Sequence, residues 1–453
     1  MKEHSNKKVA AVTLGCKLNY AETSTILDQL SKKGWLLSSI GERADLIIIH
    51  TCAVTKQAEQ KCRQKIRAII RKNPSTKIAV IGCYSQFNPE ALSAIDGIDA
   101  ILGSHDKFDI KRYEDILLGT EPSPLVRVTP ANTIEKVYPG YSLPAAVSSE
   151  RTRAFLKIQD GCDNGCSYCA IPLIRGGSRS LPAAYIVERA HLLASSGYRE
   201  IVLTGVNTGD YRSGGLKLKE LLRMLEEVSI SRIRISSIEP DIVDRELIAL
   251  VAGSKKIVPH FHIPLQSGSD RILRAMRRHY DTALYRDRVL MSVENIADCA
   301  IGADVMVGYP GETEEDFLKM YHFIEELPLA SLHVFSCSIR PGTRLALQIT
   351  NRERKPVESA EIARRYSELA ELGRRHEARF KARYTGKECM VLIERSKPVE
   401  AGQPAYSGYT RNYLRVLVES NESQLQHTLP GNEVPVLIDS LDEDLNLKGR
   451  VLS

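Results

Sequence analysis

Apolar and polar positions follow three successive rhythms along this chain. Over roughly the first hundred residues, short apolar runs rich in β-branched side chains recur: V-A-A-V-T-L (9–14), D-L-I-I-I-H (45–50), K-I-A-V-I-G (77–82) and I-D-A-I-L-G (98–103). Longer segments of helical period lie between them, around 20–33 and 55–72, the second closed by Asn73 and Pro74. That alternation predicts a parallel sheet covered by helices. Residues 119–152 are rich in Pro, Ser and Thr and lose the period, which predicts a linker with irregular strands.

From about residue 153 the rhythm restarts and repeats six times. The strand candidates are A-F-L-K-I-Q, E-I-V-L-T-G, R-I-R-I-S-S, H-F-H-I-P-L, I-G-A-D-V-M-V-G and S-L-H-V-F-S, with helical segments such as 182–196, 216–228 and 313–327 between them. Pro182 suits the first turn of a helix, and Thr313 ahead of Glu314, Glu315 and Asp316 reads as a helix start. Six strand–helix units fall short of the eight that close a barrel, so a partial barrel is expected. A long helix near 356–384 follows, with Ile362, Tyr366, Leu369, Gly373, His376 and Phe380 on one stripe. From 385 onward, short strands with Gly and Pro turns predict a small β-barrel or sandwich. The fold class is thus α/β. It divides into an N-terminal parallel-sheet domain (1–120), a linker (121–152), a partial (β/α)6 barrel (153–350), a connecting helix (351–384) and a small C-terminal β-barrel (385–453).

Composition changes this picture little. A chain of 453 residues needs more than one core, and 43% hydrophobic with 26% charged residues is ordinary for a globular protein. No apolar run is long enough to cross a bilayer, and M-K-E-H-S-N-K-K lacks a signal peptide's apolar segment, so a cytoplasmic location is expected. In that compartment ten cysteines are better read as metal ligands, catalytic groups or core residues than as disulfides. The net charge of +6 suits a polyanionic partner without requiring one.

The cysteines carry the chemistry. G-C-D-N-G-C-S-Y-C (161–169) places Cys162, Cys166 and Cys169 in a C-x₃-C-x₂-C run. A cubane iron–sulfur cluster is commonly held by four thiolates, so three leave one iron open to a substrate or cosubstrate. A structural zinc knuckle is the alternative, although no fourth Cys or His lies near in sequence. Cys16, Cys52 and Cys83 each follow one of the first three strand candidates. Strands of a parallel sheet share one carboxyl edge, so these three are delivered to one place and suggest a second three-cysteine cluster. Three buried core thiols are the bland alternative. Cys62, Cys299, Cys337 and Cys389 have no partners at ligand spacing and read as core residues.

With these motifs the chain resembles, over nearly its whole length, the radical S-adenosylmethionine methylthiotransferases, enzymes that replace a C–H bond with C–S–CH₃. The last segment looks like a TRAM domain, a small RNA-binding β-barrel. G-C-K-L-N around Cys16, H-T-C-A-V-T, I-P-L-I-R-G-G-S-R-S and G-Y-T-R-N-Y are most similar to one branch of the family. That branch converts N6-threonylcarbamoyladenosine at position 37 of tRNA to its 2-methylthio derivative. The branch acting on isopentenyladenosine usually shows G-C-Q-M-N, and the one acting on a ribosomal-protein aspartate shows G-C-P-K-N. His50 departs from the pattern, which commonly has Asn before T-C. The resemblance implies two [4Fe–4S] clusters and S-adenosylmethionine as cofactors. Cys162, Cys166 and Cys169 would hold the cluster that generates the radical, and Cys16, Cys52 and Cys83 the cluster that presents methylated sulfur. It also implies the tRNA anticodon arm and an electron donor such as a flavodoxin or ferredoxin as partners, with no membrane. A non-catalytic RNA-binding iron–sulfur protein is the competing class.

Working residues of βα barrels sit at the carboxyl ends of strands. Those ends offer Thr204, Gly205 and Asn207, then Ser237 and Glu239, then His262, Gln266 and Ser267, and finally Gly308 as candidates for binding the cosubstrate. Arg175 and Arg179 are candidates for its carboxylate or for tRNA phosphate. For RNA, Tyr409 and Tyr413 are candidate stacking platforms beside Arg411 and Arg415. Residues 385–453 hold seven Lys/Arg against ten Asp/Glu, so bulk charge cannot drive RNA binding there. The 351–384 segment, with ten Lys/Arg against six Glu, is the better source of field.

Overall fold

A computed structural model describes residues 7–120, 122–143, 152–394, 406–419 and 430–452. The β-branched runs become the centre of a six-stranded, all-parallel sheet. Lys8–Thr13, Leu46–Thr51 and Lys77–Gly82 lie side by side, with Leu36–Leu37 outside the first and Ala100–Leu102 outside the third. The sixth strand, Leu125–Arg127, pairs with Ala100–Leu102 and comes from the segment expected to be a linker. The first unit therefore extends past residue 120. Ile47, Ile49, Ile78 and Val80 face one helical layer, and Val9, Ile48, Ala79 and Ile81 face the other, which accounts for the uninterrupted apolar runs.

The second unit is the expected open barrel. Its strands are Arg153–Lys157, Glu200–Thr204, Arg232–Ile235, His260–His262, Ala300–Val307 and Ser331–Ser336, all parallel. They form two three-stranded sheets joined by single bridges between Ile233 and Ile257 and between Ser237 and His262. The first helix of the chain, Lys17–Lys32, packs against the first barrel strand, with Tyr20 edge-on to Phe155 at 5.6 Å and Ala21 buried against Phe155 and Val202.

The long helix Ser359–Ala382 lies on the last barrel strand. Gly373 permits the approach, since a Cβ there would sit 3.1 Å from Leu332 Cβ. Leu369, Gly373, His376 and Phe380 are buried as the stripe predicts, but Tyr366 is exposed and Leu372 is buried instead. The 3.6-residue period rotates the face over this length. The C-terminal strands Glu388–Glu394, Tyr406–Thr410, Arg415–Glu419, Glu433–Leu441 and Leu447–Val451 close into a five-stranded barrel around Val391, Ile393, Val416, Val436 and Ile438. Among the described residues no helix is long and apolar enough to cross a membrane.

The small barrel docks under the N-terminal ends of the large one. Arg232 donates to the carbonyls of Met390 and Tyr409 (2.9 and 2.8 Å) and pairs with Glu433, while Arg234 donates to the Arg411 carbonyl and to Glu200. Tyr409 and Tyr413 stack on each other at 4.9 Å, with Arg153 over the first ring and Arg234 over the second. The Arg411 side chain reaches the Ser231 and Lys255 carbonyls. These three residues, expected to contact RNA, are spent on the joint between domains. Of the expected RNA set, only Arg415 is exposed.

Candidate active site

The C-x₃-C-x₂-C loop follows the short strand Gln159–Asp160, at the carboxyl end of the first barrel strand. Gly161 opens it at φ +73°, and a side chain there would collide with the Gly177 carbonyl. Ser167 pins the middle of the loop. Its amide donates to the Met276 carbonyl (3.0 Å), its hydroxyl shares a hydrogen bond with Tyr309 (2.8 Å), and its carbonyl accepts from Leu345 N (2.7 Å). Cys162, Cys166 and Cys169 are half-buried free thiols. Burial pushes Cys162 up to about 11 and Cys169 up to about 12, so both need a cation before they become thiolates. Arg278 supplies a charged donor, with Nη1 3.1 Å from Cys166 Sγ, and is itself paired with Glu239. Nothing in the sequence marked Arg278, which lies 112 residues from Cys166 just after a short helix.

The strand ends give a mixed result. Thr204 Oγ1, Asn207 Oδ1 and the neighbouring Ser236 Oγ are buried without a partner among the described residues, the state expected of groups that meet a polar ligand. Gln159, unmarked by its sequence, holds this turn by accepting from Val206 N (3.0 Å) and Asn207 N (2.9 Å), beside Gly205. Gln266 adopts φ +64°, with its amide on the Asp304 carbonyl and its carbonyl accepting from Met306 N. His262 pairs with Asp304 at 2.9 Å, and Ser237 bridges to the His262 strand.

Four expected contacts have other work. Ser267 is buried and accepts from Ser269 N ahead of a helix. At Gly308 a Cβ would lie 2.5 Å from Ile362, so this glycine admits the long helix rather than a cosubstrate. Arg175 is 2% exposed and fully engaged by Glu22, Asp160 and Asn19, while Arg179 donates to the Gly177 and Arg175 carbonyls.

Cys16, Cys52 and Cys83 follow three adjacent strands, so the sheet brings them to one edge. Gly15 allows the close approach, since a Cβ there would sit 3.1 Å from Cys52 Cβ. Cys16 is reached by solvent through a cavity yet is ringed by protein, and this crowding pushes its thiol up; burial pushes Cys52 up to about 12. Among the described residues, neither cysteine trio brings its sulfurs within 4.8 Å of one another. Each site offers three thiols and no nitrogen or carboxylate ligand from its motif, a donor set that suits an iron–sulfur cluster with one iron left open.

Beside the N-terminal trio lies a buried charge network. Glu22 accepts from Lys107 (2.6 Å), Lys157 (2.7 Å) and Arg175 (3.0 Å), and Asp160 accepts from Lys157 (2.7 Å) and Arg175 (2.9 Å). Three cations face two carboxylates, leaving a positive excess that suits an anionic thiolate cluster. His50 completes the group, with Nδ1 2.8 Å from Thr23 Oγ1. Burial holds it well below its ordinary value, with Lys107 adding to the effect. Burial opposes ionisation of Glu22 and Asp160, but the adjacent cations hold Glu22 well below the carboxylate range and Asp160 at about 2.

All three groups bind protons more readily in the unfolded chain. Their stabilisation is therefore complete above about pH 6.5 and is lost as pH falls, first through His50 and then through the carboxylates. Thermal unfolding followed from about pH 7.5 to 4 should show a falling midpoint, and His50→Gln should remove the part of the fall that lies above about pH 5.

Residues 156–324 match the Radical SAM superfamily, and residues 8–103 match a family described as uncharacterized protein family UPF0004. The threonylcarbamoyladenosine tRNA methylthiotransferase MtaB of Bacillus subtilis is 36% identical over 92% of this chain and 91% of its own length. MtaB of Thermotoga maritima is 34% identical over 97% and 96%. A tRNA-2-methylthio-N(6)-dimethylallyladenosine synthase of Syntrophus aciditrophicus is 32% identical over 86% and 84%. Among solved structures, the radical S-adenosylmethionine methyltransferase TsrM of Kitasatospora setae, with cobalamin and a [4Fe–4S] cluster bound, shares the fold at TM-score 0.57 and 15% identity, over 77% of this chain and 78% of that one. With both cysteine trios at strand ends and relatives matching nearly end to end, the chain belongs to the radical S-adenosylmethionine tRNA methylthiotransferases, transferases that use [4Fe–4S] and S-adenosylmethionine chemistry.

Proposed function

We propose that this enzyme places a methylthio group on C2 of N6-threonylcarbamoyladenosine at position 37 of tRNA, using two [4Fe–4S] clusters. The observation that carries the reading is the set of relatives named for that nucleoside, at 31–36% identity over at least 85% of this chain. Cys162, Cys166 and Cys169 would hold the cluster that receives S-adenosylmethionine, and Cys16, Cys52 and Cys83 a second one. When bound, the reduced cluster with S-adenosylmethionine supplies a carbon-centred radical able to take a hydrogen atom from an adenine C–H that acid–base chemistry leaves untouched.

The chain's own residues bind, orient and exclude. Thr204, Asn207 and Ser236 present the unpartnered polar atoms that S-adenosylmethionine requires, and Arg278 holds Cys166 and Glu239 in place. Lys17–Lys32 carries Cys16 and Lys17 at its start to the cavity that Thr204 and Ser237 also line, so one cysteine of the N-terminal trio shares a space with the barrel's polar strand ends. The anticodon arm of tRNA is the macromolecular substrate, and a flavodoxin or ferredoxin serves as electron donor.

The test is mass spectrometry of nucleosides digested from tRNA of a strain lacking this chain. The 2-methylthio derivative of threonylcarbamoyladenosine is expected to vanish, with its precursor accumulating, and to return on re-expression. Unchanged threonylcarbamoyladenosine species, or loss of the dimethylallyl counterpart instead, would overturn the reading.

A further inference from the structure

The barrel lumen is hollow where a packed core would be expected. Ala300, Gly302, Ala330 and Ser331 stand at inward positions, and they leave a cavity of about 690 Å³ running from Cys16 to Tyr413. His262, Asp304 and His333 project together from three adjacent strands. Asp304 accepts from His262 Nε2 (2.9 Å) with one oxygen and from His333 Nδ1 (3.2 Å) with the other. Burial works against its charge, but these two hydrogen bonds hold its carboxyl at about 2. The same carboxylate raises His333, with Glu377 adding to the effect and Lys17 opposing it. His333 is 59% exposed and is oriented through Nδ1, which leaves Nε2 as the ring nitrogen available to a ligand in the cavity. Lys17 and Arg415 line the same cavity, and neither has a carboxylate partner among the described residues.

We infer that His333, positioned by Asp304, forms with Lys17 and Arg415 a subsite for the carboxylate on the N6 substituent of the target adenosine. The inference rests on the substrate reading above and adds the residues that select it. The two nucleosides named among the relatives differ at this position: threonylcarbamoyl is anionic, whereas dimethylallyl is wholly apolar. An apolar substituent would strip water from the Lys17 and Arg415 cations and from the His333 ring nitrogen without replacing its hydrogen bonds, while a carboxylate answers the two cations. A lumen selecting the alkenyl group would instead be lined by large apolar side chains.

The experiment uses the reconstituted full-length enzyme and anticodon stem-loop RNA carrying threonylcarbamoyladenosine, its carboxamide analogue, or dimethylallyladenosine. Wild type should prefer the acid to the amide by about tenfold or more in Kd and KM, the value of a charge-assisted hydrogen bond. His333→Ala and Asp304→Asn should erase most of that preference while changing amide binding little. Equal wild-type affinity for acid and amide, or equal weakening of both by His333→Ala, would overturn the subsite and leave the substrate reading intact. Preferential methylthiolation of the dimethylallyl RNA would overturn both.

Discussion

Glu22→Ala is expected to destabilise the protein by about 3–5 kcal/mol, the cost of leaving buried charge uncompensated. Glu22 is fully buried, and its two oxygens serve Lys107, Lys157 and Arg175, of which two belong to the barrel and one to the N-terminal unit. Without it, Lys107 keeps no carboxylate and Asp160 alone answers Lys157 and Arg175, and none of the three cations has a route to water. The network also joins the domains, so the loss should appear as earlier separation of the N-terminal unit. Thermal unfolding should begin roughly 10 °C lower, and Glu22→Gln, which keeps the shape but not the charge, should recover little. A midpoint within about two degrees of wild type would mean that the cations find other partners.

The second large effect separates the two cysteine sets. Cys166→Ala should abolish formation of 5′-deoxyadenosine from S-adenosylmethionine under reduction, because that trio has no spare ligand. Cys52→Ala should leave this cleavage measurable while eliminating the methylthio product. The separation follows from the geometry: the Cys166 loop is fixed by Met276, Tyr309, Leu345 and Arg278, all in the barrel, whereas Cys52 is placed by the N-terminal sheet. Loss of cleavage in both variants, or in neither, would contradict the division of labour.

What the sequence disclosed follows from how far each signal reaches. The six cysteines stand out in the sequence because each trio is announced locally, either by tight spacing or by recurrence after a β-branched run. The partial barrel was legible from its period alone. Arg175 was misread because its partner Glu22 is 153 residues away, and an arginine near a cysteine motif looks the same whether it meets a ligand or a buried carboxylate. Tyr409, Arg411 and Tyr413 show a related ambiguity, since aromatic and basic residues serve RNA binding and domain docking equally well and the docking partners lie far away in sequence. Gly308 shows the same ambiguity at the backbone: the positive φ was foreseeable, but the Ile362 side chain filling the space was not. The Asp304 and His333 pair could have been noticed as inward positions on neighbouring strands, but only once the register was known.

The central claim is that two separate trios of thiolates each hold a cluster with one open iron. Anaerobic reconstitution followed by iron and acid-labile sulfide analysis tests it most directly, in wild type and in the two triple variants, Cys16/Cys52/Cys83→Ala and Cys162/Cys166/Cys169→Ala. About eight irons and eight sulfides per wild-type chain, falling to about four of each in either variant, are predicted for two cubanes. About four irons in wild type, with one triple variant unchanged, would contradict it.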